Sequence, residues 1–339
     1  MASQKPASTP EQDTFVEPML RESLDRFTVL PIKYPRLWHW YQTHEKVIWF
    51  ANEINYEADV PGWERLDDNE RFFLEHILAF FAQADGIVNE NININFANEV
   101  QWPEARAFYS LQTFIENVHA QTYARLIETF IKDDDKKKRL FHAIEEIPCI
   151  AKKANWMMKW MHSDRPFAER LLAFAAAEGI FFSGAFCAIF WCKSRGKMEQ
   201  ALGLSNEFIA RDEGLHCNFA IDLYDHLERK LPQETVHSII AEAVEIETEF
   251  IVESIPCRLI GMNSDLMTQH VKYVANYWLM KMGYEPLYKE AMETPFDFMI
   301  LNDLDGKTNF FEKFASEYQK SYSVTNASSR NFDDVDDDF

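Results

Sequence analysis

Glycine is scarce. The chain has 10 in 339 residues, less than half the usual share of about 7%. Few glycines mean few tight turns, which favours long helices over a many-stranded sheet. Positive charge is short as well: 34 Lys and Arg stand against 55 Asp and Glu, a net charge of −21. A nucleic-acid binder needs a cationic face to displace counterions from phosphate, and a peripheral membrane protein needs a polybasic one, so both classes are disfavoured. The cysteines (Cys149, Cys187, Cys192, Cys217, Cys257) are odd in number and form no CxxC pair. That speaks against a thiolate zinc site and for free thiols in a reducing, cytoplasmic setting. The opening stretch, MASQKPASTPEQD, has no apolar run of the kind a secretory leader carries. No Gly-rich phosphate loop and no short repeat is found.

What is present is apolar and helical. Hydrophobic residues make up 47% of the chain and charged residues 26%, with 28 Phe, 12 Tyr and 9 Trp. That balance suits a folded globule rather than a disordered chain. Apolar residues recur every three or four positions over 70–93, 104–132, 138–161, 166–193, 206–231, 234–259 and 264–282, which predicts seven helices. Breaks fall at Pro103, Pro166, Gly203 and Pro232. The expected organisation is a flexible arm over 1–20, an all-α bundle over 21–320 and a flexible acidic tail over 321–339. Residues 171–192 are long and apolar enough to suggest a membrane span. The amphipathic neighbours favour a different reading, the central helix of a bundle, apolar all round because it is buried all round. Its one ionisable residue, Glu178, then needs a partner, because an isolated buried charge is very costly.

A dication is the simplest partner for several buried carboxylates, and oxygen with imidazole donors suits iron, manganese or zinc. On a helix, positions i and i+3 share a face, so an acid three residues before a histidine offers one metal an oxygen and a nitrogen. Three pairs have that spacing: Glu116/His119, Glu213/His216 and Glu234/His237, where chance predicts between one and two. Glu234 follows Pro232 at a helix start, where an acid complements the helix dipole, so that pair is set aside. The other two lie deep in apolar helices. Asp85 and Glu178 are lone acids in two further apolar segments. Two helices with one acid each and two with acid-x-x-His is the known ligand pattern of ferritin-like di-metal carboxylate bundles. Tyr123, four residues after His119, shares that helix face. Phe182 and Phe186 follow Glu178 at i+4 and i+8, and Ile209 precedes Glu213 by four. They form a candidate dry wall around a phenol that could lose an electron and a proton.

Several stretches are also family signatures: ADGIVNEN at 84–91, IENVHAQTY at 115–123, EGIFFSG at 178–184, SNEFIARDEGLHC at 205–217 and GKTNFFEK at 306–313. Through them the chain resembles the small, radical-generating subunit of class I ribonucleotide reductase, of the eukaryotic and viral type. The resemblance implies Asp85, Glu116, His119, Glu178, Glu213 and His216 as ligands of two iron ions in an oxo-bridged pair, with manganese as the alternative. It implies a tyrosyl radical on Tyr123, in a pocket of Phe182, Phe186 and Ile209. It implies radical transfer through Asp212, Trp49 and a tail tyrosine, Tyr318 with Tyr322 as competitor, to a large subunit that reduces ribonucleoside diphosphates. A homodimer is implied too. The ending NFDDVDDDF, with Phe332 and Phe339 among acids, is the expected docking tail. Ala120, Gln121 and Thr122 depart from the commoner Ser-Glu-Met. The rival reading is a stand-alone ferritin-like di-metal oxidase.

Overall fold

The computed structural model describes residues 15–299. Among the described residues there is no β-strand, and the long elements are helices. They are α1 (Pro35–Glu45), α2 (Val60–Glu64), α3 (Asp68–Asn91), α4 (Pro103–Phe130), α5 (Asp134–Phe141), α6 (Pro148–Met161), α7 (Phe167–Gly179), α8 (Ser183–Ser194), α9 (Leu204–Asp225), α10 (Gln233–Thr248) and α11 (Ser264–Lys281). Local chemistry starts several of them. Asp67 and Glu70 form a reciprocal capping box at α3, with backbone-to-carboxylate bonds of 2.9 and 3.2 Å. Proline occupies the first turn of α1, α4 and α6, where its missing N–H costs no hydrogen bond.

α3 packs along α4, and α9 packs along α7 and against α4. Every residue from 209 to 224 on α9 is buried. This helix is therefore buried on all sides like 171–192, although its pattern is less apolar. The stretch Phe167–Ser194 is 94% buried over its most apolar part, so its hydrophobicity serves the core.

Three expected helices are subdivided. Residues 166–193 form α7 and α8 rather than one rod. At the join, both the amide and the hydroxyl of Ser183 bond the Ile180 carbonyl, at 3.1 and 2.7 Å, which diverts it from a regular helical ladder. Residues 138–161 break before Pro148, whose ring disfavours helical geometry at the residue before it. Residues 234–259 leave the α-helix at Thr248, widen through a π-turn at Glu249–Ser254 and stop before Pro256. α1 and α2 are additional to the seven expected helices.

The packed part of the protein also begins earlier than residue 21. Met19 is fully buried, and its carbonyl accepts from the Gln101 amide at 2.7 Å. Glu17 accepts from the amides of Glu228 and Arg229 at 2.9 and 3.0 Å. Residues 1–14 and 300–339 lie outside the described residues. So do Tyr318, Tyr322, Phe332 and Phe339.

Candidate metal centre

Four helices bring the six candidate ligands together. Asp85 comes from α3, Glu116 and His119 from α4, Glu178 from α7, and Glu213 and His216 from α9. All six are at most 1% exposed. They fall into two sets whose ligand atoms lie within 4.8 Å of one another: Asp85, Glu116 and His119, and Glu116, Glu178, Glu213 and His216. Glu116 belongs to both. One of its oxygens is 3.5 Å from His119 Nδ1 and the other 3.0 Å from His216 Nδ1. Glu213 has the same disposition, at 3.3 Å from His119 Nδ1 and 3.4 Å from His216 Nδ1. Two carboxylates thus stand between two imidazoles, with Asp85 at one end and Glu178 at the other. Glu234 and His237 sit at the start of α10, where His237 Nε2 is 2.9 Å from the Glu285 carbonyl.

The hydrogen bonding of these acids separates them from structural ones. Both oxygens of Asp85, both of Glu116, one of Glu178 and one of Glu213 are buried without a hydrogen-bond partner, as are His119 Nδ1 and His216 Nε2. Asp59, also buried, has its carboxylate filled by the amides of Gln200, Ala201 and Leu202 at 2.8–3.1 Å. Buried polar atoms left without partners call for an explanation, and an O/N donor set converging from four helices fits a pair of divalent transition-metal ions.

Electrostatics point the same way. Burial drives the Asp85 and Glu178 carboxyls well above the usual carboxylate range. Burial also opposes ionisation of Glu116, but the adjacent His119 and His216 outweigh it and hold the group at about 2. Burial disfavours the imidazolium forms of His119 and His216. Asp212, Glu116 and Glu213 reverse this for His119, and Glu116 and Glu213 for His216, raising both well above the ordinary histidine value. The protein's own groups thus balance charge with shared protons. Cations that displace those protons would balance it through the same donors.

Tyr123 is 1% exposed, and its hydroxyl has no hydrogen-bond partner. Burial, then the charges of Asp85, Glu213 and Glu116, hold the phenol well above its ordinary pKa. Phe81 stacks on the Tyr123 ring at 4.6 Å and 9°. Phe182 and Phe186 reach Phe81 at 5.4 and 5.1 Å, so the three rings form one aromatic cluster that includes the tyrosine. Ile209 belongs to the same apolar core.

On the other side of His119 a hydrogen-bonded path leads outward. His119 Nε2 is 3.2 Å from Asp212 Oδ2, and Trp49 Nε1 donates to that oxygen at 2.7 Å. Burial would raise Asp212, but Arg211 and then His119 hold it below the usual carboxylate range. Arg211 grips the other oxygen at 2.9 and 3.0 Å and donates to the Val47 carbonyl at 2.9 Å, tying α9 to the segment that carries Trp49.

Sequence reasoning missed four residues here. Gln112 donates to Glu178 Oε1 at 2.8 Å, and it lies four positions before Glu116 on the same face. Phe81 stands four before Asp85. Arg211 adjoins Asp212. Those spacings were available signals. His44 had none: it is fully buried, its ring is 5.0 Å from that of His216, and burial lowers its pKa to about 3.

Comparison with known proteins agrees with this geometry. The family model "Ribonucleotide reductase, small chain" matches residues 26–295. One ribonucleoside-diphosphate reductase small chain of Arabidopsis thaliana is 53% identical over 321 residues, covering 95% of this protein and 93% of that one. The small chain of Trypanosoma brucei brucei is 52% identical over 324 residues, covering 95% of each. Among solved structures, the ribonucleotide reductase Rnr4 homodimer from Saccharomyces cerevisiae superposes with a TM-score of 0.78 at 33% identity, covering 89% of this protein and 93% of that one. The dimanganese(II)-NrdF of Streptococcus sanguinis, at 16% identity and a TM-score of 0.68 over 84% of this protein and 96% of that one, shares the fold. The protein therefore belongs to the ribonucleotide reductase small-chain family, the ferritin-like, radical-generating subunits of ribonucleoside-diphosphate reductase.

Proposed function

We propose that Asp85, Glu116, His119, Glu178, Glu213 and His216 hold two iron ions. Asp85, Glu116 and His119 would hold one, and Glu116, Glu178, Glu213 and His216 the other. Bound there, the pair supplies the oxidising power, drawn from dioxygen, that Tyr123 needs to lose an electron. The Tyr123 phenol gives up that electron and its proton and becomes a neutral radical. Phe81, Phe182, Phe186 and Ile209 exclude water from it and offer no easily oxidised group. Asp212 and Trp49 carry the radical outward. Asp212 is kept ionised by Arg211, so it accepts hydrogen bonds from Trp49 and His119 together. Tyr318, or its neighbour Tyr322, continues the route to the large subunit, where reduction of ribonucleoside diphosphates to 2′-deoxyribonucleotides begins.

The tail residues Phe332 and Phe339, set among aspartates, dock that subunit, and a second copy of the protein completes a homodimer in the cytoplasm. The observation that carries the reading is the set of buried oxygens and nitrogens that converge from four helices without a hydrogen bond to satisfy them. Oxygen and imidazole donors accept manganese as well, so the test must identify the metal. Metal-free protein given ferrous iron and air should retain two ions per molecule by elemental analysis and show a tyrosyl signal in electron paramagnetic resonance. Tyr123→Phe should keep the iron and lose the signal. A signal that survives the substitution removes Tyr123 from the role.

A further inference from the structure

Lys153 on α6 and Glu247 on α10 are both fully buried. Their charges meet at 2.6 Å, Nζ to Oε2. Aromatic faces enclose the ammonium: Nζ lies 3.6 Å from the Phe80 ring centroid and 4.0 Å from that of Phe250. A buried ion pair of this kind is weak support for stability, since a well-packed apolar pair often does as well. What distinguishes it is what else the two groups hold. Lys153 Nζ donates to the Phe181 carbonyl at 2.5 Å, and Glu247 Oε1 accepts from the Gly184 amide at 3.2 Å.

Those two backbone groups flank the join between α7 and α8. Gly184 is at the second position of α8, where an amide has no partner within its own helix. A carboxylate there also complements the helix dipole. The approach is so close that a Cβ on Gly184 would lie 2.5 Å from Glu247 Oε1. Three residues before Phe181 stands Glu178. Phe182 lies inside the join, and Phe186 follows on α8. On the cation's other side, Phe80 contacts both Phe81 and Phe182 at 5.6 Å, and Phe81 is the ring stacked on Tyr123.

We propose that the Lys153–Glu247 pair is a positioning device for the metal and radical sites. It clamps the α7–α8 join from both sides, so that Glu178 upstream and Phe182 and Phe186 downstream are aimed into the centre. Side chains on two helix segments keep a fixed relation only if the join between them is held. The pair holds it through the backbone, leaving the side chains free for chemistry. The inference rests on the metal-site reading above for its consequence, but the clamp itself can be read without metal.

The test uses the full-length protein carrying Lys153→Met with Glu247→Leu, an apolar pair of similar size that can neither donate to Phe181 nor accept from Gly184. Two readouts are needed. In metal-free protein, hydrogen–deuterium exchange over residues 178–186 should speed up by about tenfold while other helices keep wild-type protection. In a cobalt(II) titration, one of two ions should bind about tenfold more weakly, a loss of the size that follows when the support orienting a ligand is weakened. Unchanged exchange overturns the clamp. Faster exchange with both cobalt ions bound as in wild type overturns its positioning role. Where the double variant does not fold, Glu247→Asp keeps the charge, withdraws the reach to Gly184 and is read by the same outcomes. If wild-type protein itself fails to bind two cobalt ions, the metal reading fails, and the exchange result still decides the clamp.

Discussion

Asp59 and Glu178 are both buried carboxylates, and their surroundings assign them opposite work. Three amides fill Asp59. Glu178 has Gln112 on one oxygen and no hydrogen-bond partner on the other. Glu178→Ala should therefore lower bound metal by about one ion per molecule, since it deletes an oxygen donor rather than a structural bond. Unchanged stoichiometry on elemental analysis would count against ligation. His270 shows the converse, a buried ionisable group outside the centre. Burial alone lowers it to about 4, and Thr294 Oγ1 lies 3.3 Å from its Nδ1. In the unfolded state it titrates near 6.5. Below that pH the unfolded state takes a proton that the folded state refuses. The stability is therefore fully present above 6.5 and is lost as pH falls toward 4, by about 3 kcal/mol in all. His270→Gln should show a smaller drop in Tm between about pH 7 and about pH 5 than wild type; equal drops would refute the assignment. Acid-x-x-His spacing made four of the six candidate ligands legible. His44 was not, because only folding sets its ring beside His216.

The start of α4 was read at Pro103, a property of a few consecutive residues; the Asp67/Glu70 box, Pro35 and Pro148 are equally local signals that were not used. The join between α7 and α8 was not read from the sequence, because no proline interrupts 167–194 and the weaker breaks at Gly179, Ser183 and Gly184 lie in a long apolar run. Its geometry depends on Ser183 and on Lys153 and Glu247, which arrive from distant helices. Gly184→Ala tests how tight that place is. The added methyl would meet Glu247 Oε1 at 2.5 Å and Ile251 at 3.1 Å. Overpacking of this kind costs about 1–3 kcal/mol. Urea denaturation should report a loss in that range, and no loss would mean that Glu247 swings away freely.

At the scale of the molecule, the net charge of −21 and the acidic ending bear on association rather than on fold. Removing residues 331–339 should abolish nucleotide reduction with the large subunit while leaving iron content and the tyrosyl signal intact. Full turnover by the truncated protein would refute the docking role. The sequence by itself determined the all-α class and four of the six candidate ligands, because helical periodicity and i,i+3 spacing are local and each helix carries its own donors. Tertiary structure alone decided that Glu116 and Glu213 stand between the two imidazoles, that Phe81 is the ring against Tyr123, and that a buried lysine and glutamate brace the broken helix. Those relations join residues tens of positions apart, and only the packing of one helix on another sets them.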